Sequence, residues 1–357
     1  MKQLLVMTMA LAVLASCSKD EDPIIIVPPS NGSQLTLNGI RGAEAGTSAM
    51  NSVLVDFSKD QQYTIARDSW DLGFYTGADF RLIINNTTVA YAKTTSKTDI
   101  NSVGSADTVG VKIAFNQNVP SADDFTLMDN LSGNIGQSLI AASAVETDNK
   151  VYILNRGISG GISWPQNQYI KLRVLRSSNG YTLQYAPLTA TTFTTLQISK
   201  SGEADFTYVS FTTGATVSGF PAKKGWDLQW SYGAYKTSFG AAEVMYPFSD
   251  LVTINHQNGV QVASPIYASA EVAADAYTKF TKDSAAKYTY SSDRWAIGSS
   301  WRLTVASGGE PAGIRKNRFY VVKDTEGNAY KLKFVSAGIA NDGGTRGKPQ
   351  IAYELIK

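Results

Sequence analysis

One short strand occurs twice in this chain, and that recurrence constrains the fold more than any other feature. Ser69-Trp70-Asp71-Leu72-Gly73-Phe74 returns as Gly225-Trp226-Asp227-Leu228-Gln229-Trp230, and a Gly-Ala pair follows each at the same offset, Gly77-Ala78 and Gly233-Ala234. The flanks agree. Val53-Leu54-Val55-Asp56-Phe57 precedes the first copy as Tyr208-Val209-Ser210-Phe211 precedes the second, and Lys150-Val151-Tyr152-Ile153-Leu154 follows the first as Arg318-Phe319-Tyr320-Val321-Val322 follows the second. The period is far longer than the roughly 20–50 residues of a solenoid repeat, so the pattern reads as one domain duplicated in tandem, at 34–190 and 191–357.

The pattern inside each copy is that of an all-β protein, mainly antiparallel with short helices. Charged residues are sparse at 17 %, and Tyr, Thr, Ser and Gly are plentiful, a mix suited to half-buried strands and many turns. Alternation puts Trp70, Leu72 and Phe74 on one face of the signature strand and Asp71, Gly73 and Tyr75 on the other, with Trp226, Leu228 and Trp230 matching the first set. The Trp residues read as core, and Asp71 and Asp227 as carboxylates that tie a neighbouring loop through backbone N–H groups. Ser178-Asn179-Gly180 and Asp324 to Asn328 read as hairpin turns. A short helix is expected after Ser121, with Phe125, Met128 and Leu131 on one face, and another over Ser269 to Phe280 with Val272, Ala276 and Phe280 inward.

The first residues read as an address. Lys2, the apolar run Leu4 to Leu14 and Leu14-Ala15-Ser16-Cys17 form a signal peptide over 1–16, too short for a membrane span. The Leu-Ala-Ser-Cys ending resembles the bacterial lipobox, and Cys17 is the only cysteine, so it is the expected lipidation site rather than part of a disulfide framework. Ser18-Lys19-Asp20-Glu21-Asp22 looks like the acidic export tag of surface lipoproteins. An acidic, Pro-rich tether over 17–33 follows. The expectation is a protein anchored to the outer membrane by lipid alone and exposed at the cell surface.

Several chemistries lack their residues. There is one histidine, His256, and no His pair, Cys pair, P-loop or nucleophile elbow. No catalytic set and no metal site is expected, so the chain does not read as an enzyme. With a net charge of +2 and no basic block, nucleic acid is not an expected partner. His256, beside Asn258-Gly259, reads as a residue near the tip of a β-ribbon.

The order of Trp226-Asp227-Leu228, Trp301, Arg318-Phe319-Tyr320-Val321-Val322-Lys323, the Asp324–Asn328 turn, Tyr330-Lys331-Leu332-Lys333-Phe334 and Ile351-Ala352-Tyr353 resembles the HmuY family of haem-binding surface lipoproteins. The resemblance is clearest over about Phe206 to Lys357 and fainter over about Leu35 to Leu188. It implies two tandem HmuY-like β domains and a haemophore that takes haem from host carrier proteins and hands it to an outer-membrane TonB-dependent receptor. It also implies a pair of His or Met ligands to the iron. The stretches where they fall, Tyr267 to Arg294 and Trp301 to Glu310, hold neither residue, so Met245, His256, Tyr277 and Trp301 are the haem-binding candidates. The other function this sequence suits is a non-haem surface lipoprotein, binding glycan through Trp164, Trp230 and Tyr232 or serving as a structural partner of an outer-membrane transporter.

Overall fold

The computed structural model describes residues 27–157, 160–162, 164, 168–240 and 242–357. The signal peptide, Cys17 and the acidic cluster after it lie outside the described residues, as does part of the Asn155 to Gln168 loop. Among the described residues, no helix is long and apolar enough to cross a membrane.

Two β-sandwiches lie against each other, four sheets deep, and the paired strands are antiparallel. The first pairs a sheet ordered Ala215–Val217, Phe206–Ser210, Leu72–Tyr75, Arg81–Ile84 and Ile140–Ala141 with one ordered Thr194–Ser199, Gly180–Pro187, Tyr169–Ser177, Tyr152–Asn155 and Tyr91–Thr94. The second pairs a sheet ordered Ala242–Ile254, Leu228–Phe239, Asn51–Asp56 and Gln61–Ala66 with one ordered Gly32–Thr36, Gln350–Leu355, Ala329–Ser336, Tyr320–Lys323 and Gln261–Ala263. The two inner sheets face each other, so both of their faces are covered. Alternation shows this directly. Val53 and Val55 enter the second core while Leu54 between them enters the contact between sandwiches, and Leu82 and Ile84 enter the first core while Ile83 enters that contact.

Each sandwich contains a hairpin from the other half of the sequence. In the second sandwich, Val55 pairs opposite Leu228 and Val53 opposite Trp230. In the first, Val209 pairs opposite Leu72 and Tyr208 opposite Gly73. The edge strands behave alike, with Gly32–Thr36 on Gln350–Leu355 and Thr194–Ser199 on Gly180–Pro187. Strand pairing therefore crosses residue 190 in both directions, and strand Gly32–Thr36 begins inside the stretch read as tether.

Several local expectations need correction. Trp70 does not share a face with Leu72 and Phe74, because the paired strand begins at Leu72. Trp70 closes the 3-10 turn Arg67–Ser69 and turns into the contact between sandwiches. Trp226 packs there too, away from Leu228 and Trp230. His256 is not at a ribbon tip: His256–Asn258 is a 3-10 turn carrying the chain from the inner sheet across to Gln261–Ala263 in the outer one, and Gly259 at φ +92 ends it. The helix after Ser121 is the single turn Asp124–Leu127. The helix Ala270–Thr278, capped by Ser269, turns Ala273 and Tyr277 inward and leaves Val272 exposed. Its inner face packs on Phe319 and Val321, where Ala273 and Tyr277 are joined by Phe280 and the partly buried Ala276, so of the three residues expected inward only Val272 faces out.

Candidate functional site

The contact between the sandwiches is built by the repeated motif. Asp71 accepts the Phe211 N–H at 2.7 Å, and Asp227 accepts the Phe57 N–H at 2.8 Å, so each carboxylate holds the hairpin supplied by the other half. An asparagine on each crossover holds the adjoining indole strand. The Asn85 Nδ2 donates to the Trp70 carbonyl at 2.7 Å, and the Asn255 Nδ2 to the Trp226 carbonyl at 2.9 Å. The two motifs differ in one partner. Asp71 forms a buried bidentate pair with Arg156, at 2.6 and 3.0 Å. Asp227 instead lies among carboxylates. Burial, followed by the neighbouring Asp324 and Asp56, pushes its pKa up to about 7 against the pull of the Phe57 N–H.

Between the inner sheets the packing leaves a cleft of about 130 Å³. Its apolar wall comes from Leu54, Ile65, Trp70, Ile83, Tyr208, Phe220 and Trp226. Tyr208 stacks on Phe220 with ring centroids 3.5 Å apart, and Trp70 meets Tyr208 edge-on at 4.9 Å. Burial pushes the Tyr208 hydroxyl well above the usual tyrosine range, so it is a neutral donor.

A segment around 129–137 covers one side. Asp129 accepts the N–H groups of Ile84, Leu139 and Asn130 and fixes its base. Gly133 carries the contact with the opposite sandwich: its carbonyl faces the His256 Nε2 at 3.2 Å and accepts from the Gln257 Nε2 at 3.1 Å, while the Trp295 Nε1 donates to the Leu131 carbonyl at 2.6 Å. Only glycine fits there. Its φ is +75, and a Cβ would lie 2.6 Å from the His256 ring. Burial, with the Arg294 guanidinium second, lowers the His256 pKa, so the ring is neutral at pH 7 and has one N–H to offer two carbonyls. Burial pushes Asp205, across the cleft, upward, and the Asn258 amide at 2.6 Å restrains it.

The sequence candidates are dispersed. Met245 is buried with Ala234 and Met128 where the long Leu228–Phe239 and Ala242–Ile254 hairpin meets the first half. Tyr277 packs on Phe319 and donates to the Lys331 carbonyl. Trp301 stacks on Phe334 at 4.2 Å and donates to the Asp250 carbonyl. Of the four only His256 lines the cleft, where Met128 joins it. Among the described residues no group of three His, Cys, Asp or Glu is placed to hold a metal ion. The aromatic faces read as glycan platforms are covered. Trp230 is fully buried, the Arg156 guanidinium lies 3.5 Å over Trp164, and Arg67 lies 4.7 Å over Tyr232. Arg294, Tyr208 and Phe220 were not singled out from the sequence. Leu131-Ser132-Gly133-Asn134 carried a turn signal, but nothing in it pointed to a cleft.

The HmuY protein family model matches residues 202–353. Over that span, which is less than half of the chain, the sequence is similar to the HmuY family. No curated protein and no solved structure matches the chain. HmuY proteins are a haem-binding, ligand-binding family. The matched span begins with the Phe206–Ser210 and Ala215–Val217 hairpin, which here completes the first sandwich, whereas most of the remainder forms the second. The cleft lies where those two parts of the HmuY segment face each other, with Tyr208 on one side and His256 on the other.

Proposed function

We propose that this HmuY-type protein is a ligand-capture protein of haem uptake, and that its cargo is a flat, largely apolar tetrapyrrole taken into the cleft between the sandwiches. The observation that carries the reading is the aromatic wall of Trp70, Tyr208, Phe220 and Trp226 facing a cleft that also holds the chain's one histidine. Stacked rings grip a planar molecule by dispersion and apolar burial. His256 is a nitrogen donor and Met128 a sulfur donor for iron within the same lining.

The cleft at 130 Å³ is smaller than the roughly 300–1,000 Å³ of pockets that enclose drug-sized molecules. A tetrapyrrole enters only if the 129–137 segment lifts from His256 and Gln257. Three hydrogen bonds to its Leu131 and Gly133 carbonyls hold it closed, few enough for opening at modest cost.

The proposal extends to placement. Cys17 carries the lipid, the protein sits on the outer surface of the outer membrane, and a TonB-dependent receptor receives cargo drawn from host haem carriers. The family match and the lipobox support this. We also propose that the two sandwiches arose by duplication with exchange of hairpins, supported by their matching strand orders and by the reciprocal Asp71–Phe211 and Asp227–Phe57 bonds.

Absorption titration of the mature protein with haemin tests the capture reading. The expected result is a shifted Soret band that saturates at one equivalent and moves again in His256→Ala. A featureless titration overturns it.

A further inference from the structure

Arg294 is the only Lys or Arg among the described residues lining the cleft. We infer that the cargo carries an acidic group and that the Arg294 guanidinium receives it. This rests on the cleft being the ligand site, and it adds which chemistry the ligand presents there.

The other buried arginines of the chain are engaged. Arg67 donates to the carbonyls of Ala49, Thr87 and Gly160, Arg156 pairs with Asp71, and Arg302 pairs with Asp250. The Arg294 side chain has no hydrogen bond and no ion pair within 4 Å among the described residues. Its stem is nonetheless fixed, with Cδ near the Cβ position at Gly133 and the guanidinium 5.1 Å from the Trp295 ring. The carboxylates around it are committed elsewhere, Asp129 to three backbone N–H groups and Asp205 to Asn258. Asp129 and Tyr208 stabilise the cation only from a distance, and burial lowers its pKa from the usual arginine value; a guanidinium is not deprotonated in proteins.

A half-buried guanidinium with free donors, opposite an aromatic wall, is incomplete. A carboxylate on the ligand satisfies the fork in bidentate fashion while the ring system meets Trp70, Tyr208 and Phe220. A neutral ligand of the same shape would cover Arg294 without pairing it, at a desolvation cost.

The test uses the full mature protein and tryptophan-fluorescence quenching with two matched pairs of probes: protoporphyrin IX against its dimethyl ester, and 2-naphthoate against methyl 2-naphthoate. The expected result is that an acid binds about 10- to 100-fold more tightly than its ester, as charge-assisted hydrogen bonds are worth. Arg294→Gln removes that preference, and Arg294→Lys retains part of it. A purely structural Arg294 would change thermal stability in these variants without changing the acid-to-ester ratio. Preference for naphthoate alone supports the anion site and overturns the tetrapyrrole reading. Equal binding of acid and ester by the wild-type protein overturns the role of Arg294 while leaving ligand capture standing. Failure of all four probes to bind overturns both.

Discussion

The carboxylate of Asp71 accepts the backbone N–H of Phe211 at 2.7 Å, a bond between residues from opposite halves of the chain. Its counterpart runs the other way, from Phe57 to Asp227 at 2.8 Å. Together they make the repeated Trp-Asp motif a clasp for a borrowed hairpin, and the indole beside each clasp becomes part of the wall between the sandwiches.

The pairing of strands across the two halves of the chain predicts which fragments fold. Every strand of the first sandwich lies between 72 and 217, whereas the second needs 32–66 together with 228–355. A fragment of residues 68–222 is expected to give dispersed amide spectra and a cooperative melt. A fragment of residues 191–357 lacks the hairpin that pairs with Leu228–Trp230 and is expected to stay unfolded or to associate. Adding a peptide of residues 30–67 should restore its β signal by circular dichroism.

The two clasps should differ in energetic weight. Asp71→Ala strands Arg156 without its buried partner, which costs about 3–5 kcal/mol. Asp227→Ala removes a carboxylate surrounded by other carboxylates and leaves the Phe57 N–H unsatisfied, costing about 1–3 kcal/mol. Urea denaturation of both variants checks the order. Intrinsic fluorescence and far-UV dichroism followed in parallel show whether the two sandwiches unfold in one transition or two.

Asp227 also gives the fold a pH dependence. Its carboxyl has a folded pKa of about 7, above an unfolded value near 4. Below pH 4 both states are protonated and the group contributes nothing. Between about 4 and 7 the folded state holds the proton more tightly than the unfolded state, so stability falls as pH rises, and the penalty is complete above 7. The total is at most roughly 4 kcal/mol. Asp227→Asn should therefore gain stability relative to wild type from pH 5 to pH 8 in denaturant midpoints. A constant difference across that range contradicts the assignment.

What the sequence made legible follows from range. Trp70-Asp71 and Trp226-Asp227 stood out because they recur, and the Ser178–Gly180 and Asp324–Asn328 turns because turn geometry is written in adjacent residues. The pairing of each sandwich with a hairpin from the other half of the sequence was not legible. Val53 and Val55 show the same alternation whether they enter their own sandwich or the other. The cleft was hidden for a related reason: Gly133, Tyr208, His256 and Arg294 come from four separate segments, and no spacing rule joins them. Met245, Tyr277 and Trp301 are candidates by side-chain chemistry and proximity in sequence alone, and each is packed in a different cluster.

The central claim is that cargo enters between the sandwiches, and a cleft-filling substitution tests it most directly. Ile83 lines the cleft from the inner sheet, with its neighbours Leu82 and Ile84 in the first core. Haemin titrations, read at the Soret band, should show saturable binding by the wild-type protein and at least tenfold weaker binding by Ile83→Trp with its dichroism spectrum unchanged. Equal haemin affinity in the two proteins would contradict the account.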